Sequence, residues 1–257
     1  MRNRKPLILF SALSPAAMTT THPTPSDLLP LVRDELDVLA ELVPLRQQAI
    51  IELGCGNARL ARDLLRRWPL CQVTGLEVDA TQHAKNLERP QAGLHFVAAS
   101  AEAVPFDGGS FDLALMLKSL HHVPIPAMDT ALAEVARVLR PGGLFYVSEP
   151  IYGGALNEVV RLYNDEGVVR PAAQAALDRA LARGGHWEPV AERRFAQPVH
   201  FKSWDEFAQR MLYPSFADHG ITPAIALRVR AAFDPHCGPD GADFVRPMHV
   251  RLLRRKG

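Results

Sequence analysis

Glu52-Leu53-Gly54-Cys55-Gly56-Asn57-Ala58 sets a carboxylate, two glycines and a short amide into one stretch of chain. The apolar run before it reads as a strand and the periodic run after it as a helix. Gly54 permits a tight turn there, and Gly56 permits close approach of backbone to a ligand. The helix that follows offers unpaired N–H groups and the positive end of its dipole, which suit a carboxylate or phosphate. Alone, a glycine pair is more simply a structural turn. Glu77 adds to it, ending the next apolar run about twenty residues on, where a carboxylate accepts both hydroxyls of a ribose. Asp79 is read as the cap of the helix behind it.

A second group of residues could move protons or bind a substrate. His121 and Tyr152 each follow the end of a strand and are the candidate bases; both also serve as plain pocket wall. Lys118 stands at the mouth of the fourth strand and is read as a supporting residue. Glu149, Tyr152, Asn157, Tyr163, Asn164 and Asp165 gather after the fifth strand, where acceptor specificity is expected. Trp204, Tyr213 and Phe216 are expected to add the apolar wall that a small-molecule pocket needs. No metal centre is expected. Cys55, Cys71 and Cys237 have unrelated spacings, and His236-Cys237 offers two ligands without a second pair.

The elements that must position these groups alternate. Strands are expected at 48–53, 72–77, 94–98, 111–117 and 144–148, with helices at 26–43, 58–68, 81–88 and 128–139. Ser26 is the expected N-cap of the first helix, and Pro141-Gly142-Gly143 the left-handed stop of the last. Beyond Pro150 the pattern becomes helical over 153–184, with a break at Gly167 to Pro171. Strands at 190–201 and 244–253 follow, each with an internal proline, and Pro198 argues for an edge or bulge in the first. Two short helices lie between them, near 204–211 and 223–233. Alternating strands and helices imply a parallel sheet with right-handed crossovers. Ligands then bind at the carboxyl ends of the strands, where the strand order reverses.

Further signals appear in order along this alternation. They are Ala99-Ser100-Ala101-Glu102, Val104-Pro105-Phe106, Gly109-Ser110-Phe111-Asp112, Leu120-His121-His122-Val123 and Leu139-Arg140-Pro141-Gly142-Gly143. With the glycine turn they make the run from about 47 to 148 resemble the class I S-adenosylmethionine-dependent methyltransferases, in the branch that includes the ubiquinone and menaquinone biosynthesis enzymes. The resemblance implies a Rossmann-like α/β fold. It implies a seven-stranded, mostly parallel sheet with helices on both faces, and a helical cap after strand five. It implies S-adenosyl-L-methionine as cofactor. Glu52, Gly54, Cys55, Gly56 and Asn57 would then line its methionine part and Glu77 its ribose. Val78, Ser100 and Ala101 would meet adenine, and Leu117 or Lys118 would border the sulfonium. Two positions depart from the pattern. Ala58 stands where a third glycine is usual, a change tolerable one step into a helix. Ser100 stands where an aspartate is usual, which leaves the adenine amine to Glu102 or water.

The reading is therefore methyl transfer to a small-molecule acceptor, on oxygen or carbon. Leu117-Lys118-Ser119-Leu120 replaces the Asn/Asp-Pro-Pro-aromatic signature of nucleic-acid amino methylation, and the net charge of +1 gives no polyanion footprint. A nicotinamide dehydrogenase would share the turn and the ribose carboxylate, but would want glycine at 58. A non-catalytic cofactor-binding protein on the same fold is the nearer alternative. The 257 residues hold no apolar run long enough to span a membrane. Residues 1–25 read as a disordered leader, with Met18 as a possible start, ahead of one domain at 26–257 whose cap lies within 150–240. A soluble, cytoplasmic protein is expected.

Overall fold

The computed structural model describes residues 29–182, 185–215 and 217–257. The expected leader, Ser26 and Phe216 lie outside these residues. One mixed sheet organises the chain. Its strands are β1 Ala49–Leu53, β2 Gln72–Glu77, β3 Leu94–Ala98, β4 Phe111–Leu117, β5 Leu139–Pro150, β6 Trp187–Phe201, a two-residue β7 Cys237–Gly238, and β8 Gly241–Arg255. The order across the sheet is β3-β2-β1-β4-β5-β8-β6, with β7 paired to β8. The first five strands pair in parallel, and β8 runs antiparallel between β5 and β6. This is the expected Rossmann-like architecture. The order reverses between β1 and β4, which opens a crevice at their carboxyl ends.

Strand alternation distributes the core. Ile51 and Leu53 face α4 (Met128–Val138) and α6 (Val169–Ala182), while Ile50 faces α1 (Glu35–Leu42) and α2 (Arg59–Arg67). Each such side chain, fully buried, contributes about 1.5–3 kcal/mol. The crevice is therefore anchored to strands buried on both faces. Asp112 braces its base. One carboxylate oxygen accepts the Ala49 N–H at 2.8 Å, and the other pairs with Arg140, so β1, β4 and β5 are tied at their lower ends.

A third, separate core forms the cap. It joins α5 (Ala155–Val160), α7 (Trp204–Phe207) and α8 (Pro223–Phe233) to the ends of β6 and β8. Phe201, Phe207, Phe233 and Phe244 meet there mostly edge-on, at centroid distances of 4.7–6.2 Å. The cap thus draws on two insertions, one after β5 and one between β6 and β8.

Several local expectations are corrected. The first helix begins at Glu35 under an Asp34 cap, whose side chain accepts the Leu36 N–H. Residues 30–32 instead pair with the edge of β6, through Val32 N–H to the Ala196 carbonyl and Ala196 N–H to the Pro30 carbonyl. Helix α4 stops at Val138 without a left-handed cap, and Leu139 is already extended and paired with Phe111. Gly142, at φ 81°, serves a bend inside β5. The break expected at 167–171 falls earlier, because Pro171 lies in the first turn of α6, where no N–H is required. The prolines of β6 suit its place at the sheet edge.

Candidate active site

The loop after β1 carries alternating left-handed residues: Gly54 at φ 73°, Gly56 at 54° and Ala58 at 54°. A Cβ at Gly54 would come within 2.8 Å of the Ser119 Cβ, so glycine is required for contact with β4's outgoing chain as well as for φ. At Gly56 a Cβ would meet nothing within 4 Å, and the backbone there borders open space. Ala58 is the N-cap of α2, not a residue inside it, so it carries the positive φ that the missing glycine would accept freely.

Side chains from three elements hold this loop. Glu77 accepts the Gly56 N–H at 2.7 Å and the Asp79 N–H at 2.9 Å. Asn86, buried on α3 (Ala80–Leu87), donates its amide to the Gly56 carbonyl at 2.7 Å. Ser119 donates to the Leu53 carbonyl at 2.8 Å. Asp79 caps α3 as expected and also accepts a hydrogen bond from Ser215 at 3.0 Å, which links the cap to the edge of the crevice.

Together these elements bound a cleft of about 1120 Å³. Glu52, Gly54, Cys55, Gly56, Asn57, Glu77, Val78, Ser100, Ala101 and Leu117 all line it. So does Glu35, from α1, which pairs with Lys118 at 3.2 Å across the opening. Glu52 is buried, and its Oε2 has no hydrogen-bond partner. Burial pushes its pKa up to about 8, against the pull of Lys118, with Glu35 and Glu77 adding repulsion. A buried acid with an orphaned oxygen calls for a donor or a cation from outside the protein. S-adenosylmethionine brings such a cation in its ammonium and sulfonium groups, and the open face at Gly56 leaves room for it. The residues present therefore fit that cofactor.

On the far wall, Glu149 ends β5 and is buried. It accepts the Leu120 N–H at 2.9 Å and holds the Nδ1 of His121 in a short contact. A carboxylate at Nδ1 places the ring proton there and leaves Nε2 as the basic atom. His121 lines both the cleft and the cap cavity beside it. His122 lines the cleft with part of its side chain exposed, and desolvation of the rest, with His121 next to it, pushes its pKa down to about 4. His121, His122 and Glu166 could each turn a ligand atom to one metal ion within 4.8 Å. Arg170, however, already holds Glu166 at 2.8 Å and opposes a divalent charge there.

Tyr152 is not brought to this site. It lines neither cavity, and its hydroxyl donates to Asp165 at 2.7 Å. Trp204 stacks on Phe207 in the cap core, 5.5 Å between centroids, and Tyr213 is exposed, so neither forms the expected apolar wall. Glu149 as a histidine partner, Asn86 as a loop clamp and Glu166 were not assigned these roles from the sequence. A carboxylate at a strand end one position before Pro150 was the available signal for Glu149.

Residues 51–147 match the family model described as "Methyltransferase domain". That segment is a class I S-adenosylmethionine-dependent methyltransferase domain. It contains the loop, Glu77, Ser100 and His121, and stops just short of Glu149. Among relatives of the methyltransferase domain, a fatty-acid O-methyltransferase of Mycolicibacterium smegmatis is 36% identical over 105 residues, 39% of this chain and 36% of that protein. An O-methyltransferase, cnsE, of Penicillium expansum is 32% identical over 138 residues, 49% of this chain and 48% of that protein. The chain thus spans less than half the length of these curated relatives. The YcgJ protein of Bacillus subtilis shares the fold at a TM-score of 0.60 and 17% identity, over 86% of this chain and 98% of that one. The relatives support the methyltransferase domain and not specifically its quinone-biosynthesis branch. Among the described residues no helix is long and apolar enough to cross a membrane.

Proposed function

We propose that the protein transfers a methyl group from S-adenosylmethionine to an oxygen of a small-molecule acceptor, with His121 as the base. The observation that carries this reading is the buried Glu149–His121 pair, whose histidine lies on the wall shared by the cofactor cleft and the cap cavity, with Nε2 3.8 Å from Glu166 Oε1, beyond hydrogen-bond distance. The names of the relatives support oxygen over carbon as the accepting atom.

S-adenosylmethionine, when bound, supplies a methyl group already activated on a sulfonium. Glu52 and the Gly54–Gly56 loop would hold its methionine part, and Glu77 its ribose hydroxyls. Val78, Ser100 and Ala101 would border the adenine, and Leu117 and Lys118 the reacting end. His121 Nε2 would take the proton of the acceptor hydroxyl and so ready that oxygen to receive the activated methyl group. Glu149 stabilises the resulting imidazolium and keeps the ring oriented. Orientation of the two reactants supplies the larger part of the catalysis, and the base a further factor of about 10²–10⁴.

The test is methylation of a panel of hydroxylated small acids by the full chain, followed by mass. His121→Ala should lower kcat on active acceptors about a hundredfold or more, while cofactor affinity stays within twofold. Glu149→Gln should lower kcat and leave KM nearly unchanged. Wild-type turnover in His121→Ala would exclude the base, and no methylated product from any acceptor, with cofactor bound, would remove the reading.

A further inference from the structure

Beside the cofactor cleft, under the cap, lies a cavity of about 150 Å³ that shares His121, Asn164 and Glu166 with it. Four cations reach its wall: Lys118, Arg170, Arg210 and Arg246. Three are matched. Lys118 pairs with Glu35 at 3.2 Å, Arg170 with Glu166 at 2.8 Å, and Arg210 with Glu206 at 2.7 Å. Arg246, on β8, forms no hydrogen bond or ion pair among the described residues. Its neighbours in charge are Arg170, Glu166, Arg210 and Glu35, and burial pulls its pKa down to about 10, so it stays charged at neutral pH.

Two more donors stand on the same wall. Asn157 is buried, and its Oδ1 accepts from Arg170 at 3.1 Å, which fixes the amide orientation and leaves Nδ2 without a partner. The Tyr163 hydroxyl is likewise buried and unpartnered. A guanidinium, an amide N–H₂ and a phenol O–H therefore stand on one small space, none of them hydrogen-bonded to the Glu166 carboxylate that shares the wall. Donors left this way are costly unless a ligand supplies the acceptor.

We infer that this cavity is the acceptor's anion subsite, taking a carboxylate on Arg246 with Asn157 and Tyr163 as neutral donors. The inference rests on the methyl-transfer reading and names the acceptor class: a hydroxy acid whose hydroxyl faces His121. One unmatched positive charge suits a monoanion. A phosphate dianion would want a second, and the other three cations are already neutralised. The planar guanidinium fork also matches a carboxylate in geometry. Leu156, Val160 and Met211 line the remainder and suit a short apolar stem.

The experiment is calorimetry on the full chain saturated with S-adenosylhomocysteine, using hexanoate, hexanamide and inorganic phosphate as probes. Hexanoate should bind at least tenfold more tightly than hexanamide and more tightly than phosphate. Arg246→Gln should erase the preference for hexanoate, and Arg246→Lys should keep part of it. Equal binding of hexanoate and hexanamide, tighter phosphate binding, or an unchanged preference in Arg246→Gln would overturn the subsite. If Arg246→Gln does not fold, phenylglyoxal labelling of wild type decides. Hexanoate, and not hexanamide, should shield Arg246, and an unshielded Arg246 counts against the subsite. Failure of S-adenosylhomocysteine itself to bind would strike the cofactor reading instead, so the two are separable.

Discussion

At the scale of single residues, the proposed role of Glu52 links the cofactor site to pH. Its carboxyl is raised from the usual range to about 8 by burial, so it is mostly neutral at pH 7. A cationic ligand binds the ionised form better and therefore expels a proton. Affinity for S-adenosylmethionine should rise from pH 6 to pH 8, by up to about tenfold per unit in the limit. Glu52→Gln should flatten that slope, and calorimetry in buffers of different ionisation enthalpy would read the released proton directly. The same shift acts on folding with the opposite sign. The unfolded chain loses this proton near pH 4.5 and the folded chain near 8, so the group's contribution to stability falls as pH rises through that window. Glu52→Gln should remove this decline in melting temperature. A pH-independent wild-type affinity would refute the assignment of Glu52. Glu52 was legible in the sequence because it sits two residues before Gly54, at the start of a glycine turn. Arg246, Asn157 and Tyr163 were not legible as a set. Arg246 belongs to β8 and Asn157 to α5, and only the antiparallel return of β8 along β5 brings them to one cavity. Tyr152 is held by Asp165, a partner that its place just past a strand end does not reveal.

At the scale of elements, the cofactor loop is a clamped object. Glu77 at the end of β2 and Asn86 on α3 each hold Gly56, one through its N–H and the other through its carbonyl. In the proposed reading Glu77 has two duties, one toward the loop and one toward a ligand hydroxyl. Glu77→Ala should weaken cofactor binding by about 1–3 kcal/mol, through loss of hydrogen bonds to a charged acceptor. Asn86→Leu touches no ligand, but it strips the Gly56 carbonyl of its partner. It should lower stability by about 1–3 kcal/mol and weaken cofactor binding, as measured by melting and titration together. Full cofactor affinity in Asn86→Leu would show that the loop keeps its shape unaided. The strands of this region were legible because β1, β2 and β4 are short apolar runs bounded by turn residues. The first helix was not, because the apolar spacing of Val32, Leu36, Leu39 and Val43 continues the helical period backward. Competition from the β6 edge takes residues 30–32 away from the helix, and a period count has no term for a sheet edge about 165 residues distant.

At the scale of the molecule, the chain divides its labour between a rigid sheet and a smaller cap with its own aromatic core. The cofactor walls stand mainly on the sheet, and the unmatched donors stand on the cap and on β8. The two functions should therefore fail separately. Phe233 lies at the centre of the cap, fully buried among Phe201, Phe207, Trp204 and Phe244. Phe233→Ala should cost about 3–5 kcal/mol of local packing, as a large aromatic truncated in a core does. Loss of that packing loosens α5 and the end of β8, which carry Asn157 and Arg246. The expected result is a lower melting temperature with acceptor binding and kcat reduced at least tenfold, while S-adenosylhomocysteine still binds within a few-fold. Leu132→Ala, on α4 where it packs against the sheet, is the control. It should cost about 2–5 kcal/mol and lower cofactor and acceptor binding together, because it weakens the strands that carry both walls. If Phe233→Ala loses the cofactor as readily as Leu132→Ala does, cap and sheet fold as one cooperative unit. The acceptor site is then not an independent attachment but a property of the whole chain.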